Sequence, residues 1–122
     1  MNLKEGYFGN FKNYPKGETL IAVSRYYPRF LGKSIRWRPE LAPSKKLLAD
    51  YKEGSLPWEE YEKRFRKEME SGPAQHAINE IITYSQYSLF RLLCYEKKPP
   101  CHRFILIDII NEQKNKTCEE PQ

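Results

Sequence analysis

The sequence predicts a small single-domain α/β protein with a mostly parallel sheet flanked by helices. Two short, near-continuous apolar runs, Leu20-Ile21-Ala22-Val23 and the stretch from Ser88 to Tyr95, have the pattern of strands covered on both faces. The segments between and after them repeat apolar residues at spacings of three and four, the period of helices packed by one side. Strand, helices, strand, helix is the order in which a parallel sheet is built.

Taken in order, Tyr7-Phe8 is read as a further strand or an extended arm, and Leu20–Val23 as a buried strand. Ser24 to Pro43 is rich in Arg, Tyr, Pro and Gly and reads as a long loop, which inside a compact domain is usually functional or mobile. Ser44 is placed to cap a helix from Lys45 to Tyr51, with Leu47 and Leu48 inward and Gly54 beyond its end. Ser55 and Pro57 open a second helix reaching about Ser71. Its Trp58, Tyr61, Phe65 and Met69 share one face and are read as core rather than as a cofactor box. Ser71-Gly72-Pro73 interrupts the chain before a third helix, about Ala74 to Thr83, with Ala77, Ile78, Ile81 and Ile82 inward. Ser88–Tyr95 is the strongest strand, Lys97-Lys98-Pro99-Pro100 a loop, and a last helix begins near Cys101 and carries Phe104 to Ile110. One domain is thus expected over residues 1–112, with 113–122 a polar, frayed tail.

Composition narrows the class. A chain of 122 residues that is 39% hydrophobic and 14% aromatic can fold unaided, because disordered chains are poor in both. No run of about 18 apolar residues is present, so no membrane partner is expected. Met1–Gly9 is charged and lacks the apolar region of a secretory signal. Three irregularly spaced cysteines make no disulfide framework, and the expected compartment is the reducing cytoplasm. The net charge of +5 lies at one end: residues 1–50 hold ten Lys/Arg against four Asp/Glu, residues 51–122 eleven against twelve. A basic region attracts polyanions, and a solvated basic surface accounts for the same counts.

The segment best suited to chemistry runs from Cys94 to Arg103. Cys94 closes a buried strand, and Cys101 stands where a helix starts. Unpaired amide N–H groups and the positive end of the helix dipole favour a thiolate there, and His102 and Arg103 add cationic groups. This is how a cysteine nucleophile is activated, with Glu96 close enough in sequence to move a proton or to pair with Arg103. Either cysteine can equally be a small buried hydrophobe, and His102 a helix-start residue. Cys94, Cys101 and His102 are poorly spaced for zinc, since a structural site needs four ligands and only His76 and Cys118 remain. No metal or cofactor is therefore expected. The spacing of Cys94 and Cys101 also differs from a Cys-x-x-Cys redox pair.

A second cluster, Ser24-Arg25-Tyr26-Tyr27-Pro28-Arg29-Phe30, follows the first strand. Ligands of open parallel sheets bind beyond the carboxyl ends of strands, so the two clusters can meet at one pocket. Arg25 and Arg29 would offer forked donors to a phosphate or carboxylate, with Tyr26 beside them. Arg36, Trp37 and Arg38 extend the basic, aromatic surface in a manner suited to stacking on bases. These residues can equally pair with carboxylates and cover the sheet edge. No Gly-rich phosphate loop, Gly-x-Ser-x-Gly, His-Glu-x-x-His or paired zinc motif is present.

Four stretches together resemble the domain-of-unknown-function 488 family: Tyr7-Phe8-Gly9-Asn10, Val23-Ser24-Arg25-Tyr26-Tyr27-Pro28-Arg29, Leu41-Ala42-Pro43-Ser44, and Leu92-Leu93-Cys94-Tyr95-Glu96-Lys97 with Cys101-His102-Arg103. The last is the most specific, and the order and spacing hold up to about Ile110. The resemblance implies a compact α/β domain and no established activity. It supports treating Cys94, Glu96, Cys101, His102, Arg103 and Arg25 as one site. The chain departs from the family's pattern at Pro99-Pro100, where a more polar, often acidic loop is usual, and at the more apolar Phe104-Ile105-Leu106.

The leading expectation is an enzyme or ligand-binding domain for a small anionic molecule. Cys101 would be its nucleophile or redox thiol, with Cys94 in the same site. His102 and Glu96 would handle protons, and Arg25, Arg29, Arg103 and Tyr26 would hold the substrate. The alternative is a nucleic-acid-binding module without catalysis, using the basic N-terminal region. A third is a partner-modulating protein without an active site. Oligomeric state is not fixed by the sequence.

Overall fold

The computed structural model describes residues 2–33, 35–97 and 100–119, with side chains as far as Lys116. Lys98 and Pro99 of the expected loop, and with them part of the Pro99-Pro100 departure, lie outside the described residues, as do the last three residues of the expected tail. Four strands, β1 (Leu3–Tyr7), β2 (Thr19–Ala22), β3 (Arg36–Trp37) and β4 (Phe90–Cys94), form one sheet in the order β1-β4-β2-β3. Every pairing is parallel, with Gly6 opposite Leu93, Ile21 opposite Leu92 and Ala22 opposite Trp37. Four helices, α1 (Lys45–Lys52), α2 (Trp58–Glu68), α3 (Gly72–Tyr84) and α4 (His102–Glu119), complete the α/β domain. Among the described residues no helix is long and apolar enough to cross a membrane.

Successive side chains of a strand point to opposite faces, and the apolar runs supply both. Ile21, Phe90 and Leu92 pack with Leu47, Tyr61, Phe65, Ile78, Leu106 and Ile110 of the helices. Ala22 and Leu93 face the other way, onto Phe8, Leu31 and Ile35. The α-helices therefore cover one face. The opposite face is closed by segments that include the 3-10 turns Phe8–Asn13 and Arg29–Leu31. Gly6 is needed on that side: a Cβ there would lie 2.5 Å from the Tyr14 hydroxyl oxygen, which accepts the Tyr7 N–H at 3.0 Å.

Local signals set the helix starts. The Ser44 hydroxyl oxygen accepts the Leu47 N–H at 3.1 Å, and Ser44 gives its own N–H and O–H to the Glu68 carboxylate, fastening α1 to the end of α2. Ser71 caps α3 by accepting from Ala74, so that helix begins at Gly72, two residues before the expected Ala74, with Pro73 tolerated in its first turn.

Three expectations are corrected. Ser24–Pro43 is not all loop: it holds the turn Arg29–Leu31, strand β3 and the turn Pro39–Leu41. A two-residue strand is too short to show a period. The strand near the N-terminus is Leu3–Tyr7, and Phe8 already belongs to the following turn. The last helix does not stop near Ile110: α4 continues to Glu119, where Gln113 exchanges amide hydrogen bonds with Gln75 and Glu112 pairs with Arg66 at 3.0 Å.

Two nearly buried arginines tie the sheet together. Arg91 on β4 meets the Glu18 carboxylate with two bonds of 2.7 and 2.9 Å, gives a third to the Glu5 carbonyl, and lies over the Tyr14 ring. Arg103, with no exposure, donates to the Glu5 carboxylate at 2.9 Å and to the carbonyls of Glu96 and Lys97. Removing Arg103 would leave the Glu96 and Lys97 carbonyls without their donor, at about 1–3 kcal/mol each, whereas Glu5, 42% exposed, could turn to solvent. Replacing Arg103 with Met should therefore lower the unfolding free energy by about 3 kcal/mol in urea titration, and Lys, which lacks the planar fork, should not restore it. Hydrogen bonding from Arg91 holds the Glu18 carboxyl below its ordinary value of 4.5, against the burial that raises it. A lowered folded-state pKa means the pair's stabilisation is complete above that value and lost as pH falls through the folded one. Glu18→Gln should be less stable at neutral pH, and its deficit relative to the unaltered chain should shrink on acidification below about 4.5.

Candidate functional site

The carboxyl ends of β2 and β4 open into a pocket of about 330 Å³. Ser24, Arg25 and Tyr26 enter from the end of β2, and Cys94, Tyr95 and Glu96 from the end of β4. Pro100, Cys101 and His102 enter from the start of α4, and Leu48, Tyr51, Lys52, Trp58 and Tyr61 from α1 and α2. The lining is mostly apolar, with polar atoms gathered where the three chain ends meet.

His102 organises that meeting point. Its Nε2 lies 2.6 Å from the Val23 carbonyl oxygen. A carbonyl only accepts, so Nε2 carries a proton, an assignment that follows from the partner. The Val23 N–H itself donates to Leu93 at 3.0 Å, so this carbonyl is fixed by the β2–β4 ladder. Nδ1 then faces both thiols, 3.7 Å from the Cys101 sulfur and 3.9 Å from the Cys94 sulfur. On their other side Glu96 Oε2 lies 3.3 Å from the Cys94 sulfur and 3.6 Å from the Cys101 sulfur. Phe65 meets the imidazole edge-on and limits its rotation.

The two cysteines are buried, and their environments differ. A hydrogen bond from Cys94, the adjacent His102 and the Arg103 backbone N–H at the start of α4 hold the Cys101 thiol well below the ordinary thiol range, against the burial that pushes it up. Cys94 is raised by its hydrogen bond to Cys101, by burial and by the negative charges on Cys101 and Glu96. One negative charge is thus shared by the pair and placed on Cys101. Burial, then nearby negative charge, that on Cys101 first, raises Tyr61 above the phenol range, so it faces the pocket as a neutral phenol.

Of the residues singled out in the sequence, Cys94, Glu96, Cys101, His102, Arg25 and Tyr26 come together in the pocket. Arg25 gives its Nε–H to the Pro43 carbonyl at 3.0 Å and an Nη2–H to the Ala42 carbonyl at 3.3 Å, which leaves part of its fork to face a ligand. Tyr26 is 55% exposed at the mouth. Arg29 stands exposed on a 3-10 turn and is not in the pocket wall. Arg103 is not in the pocket wall: Glu5 and two carbonyls take its donors.

The pocket walls Tyr51, Trp58, Tyr61 and Lys52 went unread as functional residues. Trp58 and Tyr61 belong to the aromatic stripe of α2 that the sequence assigns to core, and Tyr61 is indeed buried there, yet both also face the pocket. The Val23 carbonyl is backbone and leaves no trace in a sequence.

No curated protein and no solved structure matches the chain. A family model does: that of DUF488-N3a, described as the active DUF488-N3 subclade, which matches residues 10–114. With most of its length inside that match, the chain belongs to the DUF488 family.

Proposed function

We propose that the pocket is a thiol-centred site that binds a small anionic ligand and, where the ligand is electrophilic, attacks it through Cys101. The carrying observation is the convergence of two thiols on one imidazole nitrogen whose opposite nitrogen is committed to the Val23 carbonyl. An imidazole held this way has one task left for Nδ1, to take a proton from a sulfur. Cys101 is the better nucleophile of the pair, because its sulfur receives the Arg103 backbone N–H at a helix start while Cys94 ends a strand.

In the step this implies, the Cys101 sulfur bonds to the electrophilic atom. The bond from that atom to its leaving group breaks, with the electron pair going to the leaving group. The proton that Cys101 has given up to Nδ1 of His102 passes from there to the departing group. Water then displaces the sulfur, with Nδ1 taking the water's proton and Cys101 regained as the thiolate. Glu96 accepts from Cys94 and holds that sulfur beside the imidazole. Arg25 and Lys52 supply positive charge along the pocket for the anionic part of the ligand.

Fewer side chains are left for the nucleic-acid alternative. Tyr27 stacks on Trp37, the Trp37 indole N–H donates to the Ser24 carbonyl, and Arg38 pairs with Glu80. Much of the basic, aromatic set is thus committed to packing.

Alkylation of the reduced protein tests the thiol reading, with sites resolved by peptide mass spectrometry. Iodoacetate should modify Cys101 ahead of Cys94. Its rate relative to neutral iodoacetamide should exceed that of a free thiol by several-fold, and Arg25→Ala should remove that preference. Cys101→Ser should abolish the fast modification while leaving the melting temperature within a few degrees. An inert Cys101, or an iodoacetate preference indifferent to Arg25, would overturn the proposal.

A further inference from the structure

We propose that Cys94 Sγ, Cys101 Sγ and His102 Nδ1 form a three-point site for a thiophilic divalent cation of the zinc class, with the fourth position open to the pocket. One donor atom from each of the three residues lies within 4.8 Å of the other two, and all three residues are buried. Two thiolates and an imidazole are a donor set that selects such ions over magnesium or calcium. The spacing suits them too. Bonds of about 2.3 Å to sulfur and about 2.0 Å to nitrogen, at tetrahedral angles, place sulfur and nitrogen roughly 3.5 Å apart. The observed separations are 3.7 and 3.9 Å.

The surroundings are those of a metal ligand set. An imidazole that binds metal through one nitrogen almost always gives its other N–H to a carboxylate or a backbone carbonyl, as His102 does to Val23. The donors stand on a strand end and a helix start, so they are held by rigid elements. Three protein ligands with a vacant direction into a cavity is the arrangement of an ion that exchanges ligands, in contrast to a closed structural site. Sequence spacing concealed this, because it was judged against four-ligand motifs.

A cation here would occupy the sulfur lone pairs that the proposed nucleophile uses, so ion and electrophile would exclude each other. That consequence rests on the thiol reading; cation binding does not.

The test uses the full chain, reduced and freed of metal with a chelator, titrated with Co²⁺ and then Zn²⁺. One equivalent of Co²⁺ should bring up thiolate-to-cobalt charge-transfer absorption and the intense visible bands of a tetrahedral ion, and Zn²⁺ should bleach both. Cys94→Ser, Cys101→Ser and His102→Gln should each weaken Co²⁺ binding by at least about tenfold, whereas Cys118→Ser and His76→Gln should not. Circular dichroism confirms the fold of each variant. Should one fail to fold, the unaltered protein still decides: one equivalent of Zn²⁺ should protect Cys94 and Cys101, and not Cys118, from iodoacetamide. Absence of the charge-transfer band, its survival in the doubly substituted Cys94/Cys101 protein, or protection confined to Cys118 would overturn the proposal. Fast alkylation of Cys101 without a cobalt band would sink the cation site alone. A cobalt band with Cys101 inert in the metal-free protein would sink the nucleophile alone.

Discussion

A guanidinium shielded from solvent costs several kcal/mol of desolvation unless its donors are met, and at Arg103 they are met from separate parts of the chain. Glu5 contributes a carboxylate from β1, and Glu96 and Lys97 contribute carbonyls from the turn after β4. This arrangement holds the backbone of Glu96 and Lys97 just beyond β4. It also orients the first turn of α4. With Arg103 directed toward β1, the preceding residue is turned toward β2, and His102 meets the Val23 carbonyl. The strand order makes both contacts possible, because β4 lies between β1 and β2 and the helix following it starts above all three.

The same order explains where the pocket opens. The chain leaving β2 passes to the face closed by Leu31 and Ile35, while the chain leaving β4 enters α4 on the helical face. Two adjacent parallel strands whose continuations part to opposite sides leave a crevice between their carboxyl ends, the place where ligands of open α/β sheets bind. Here the crevice is walled by Arg25 and Tyr26 on one side and by Cys94 and Glu96 on the other. Helices α1 and α2 then roof it with aromatic rings, Trp58 stacking on Tyr61 at 4.8 Å and Tyr51 beside them.

What the sequence showed and what it hid divide along physical lines. Buried strands and amphipathic helices carry their period in consecutive residues, so β2, β4 and α1 to α3 were legible to within a few positions. The convergence of Cys94, Glu96, Cys101 and His102 was legible because all four lie within nine residues of one another. Strand β3 was hidden, since two exposed residues on a sheet edge owe their conformation to pairing with Ile21 and Ala22. Arg103 was misread for an instructive reason. A cation next to a thiol in sequence suggests anion binding, but successive helix residues point about 100° apart, and this one points away from the pocket. Trp58 and Tyr61 were read as core because a stripe at helical spacing cannot say whether it is closed by protein along its whole length or, at one end, by a ligand.

The nucleophile and the cation make different claims on the same atoms, yet both assign the pocket the same class of ligand. In either case the reactive point is at the floor, between Cys101 and His102, and the mouth presents Tyr26, Arg25 and Lys52. A lone pair on Cys101 would act on the ligand directly, whereas an ion held by the sulfurs would draw in an anionic oxygen or a water through its open position. Arg25 favours negative charge in both. The aromatic roof supplies apolar contact that neither mechanism needs for its chemistry, so it selects the ligand's body and not its reactive group. On the proposed reading the pocket would favour a small molecule with an apolar or planar body and an anionic end. The identity of the atom at the floor decides whether that molecule is modified by sulfur or held on a metal.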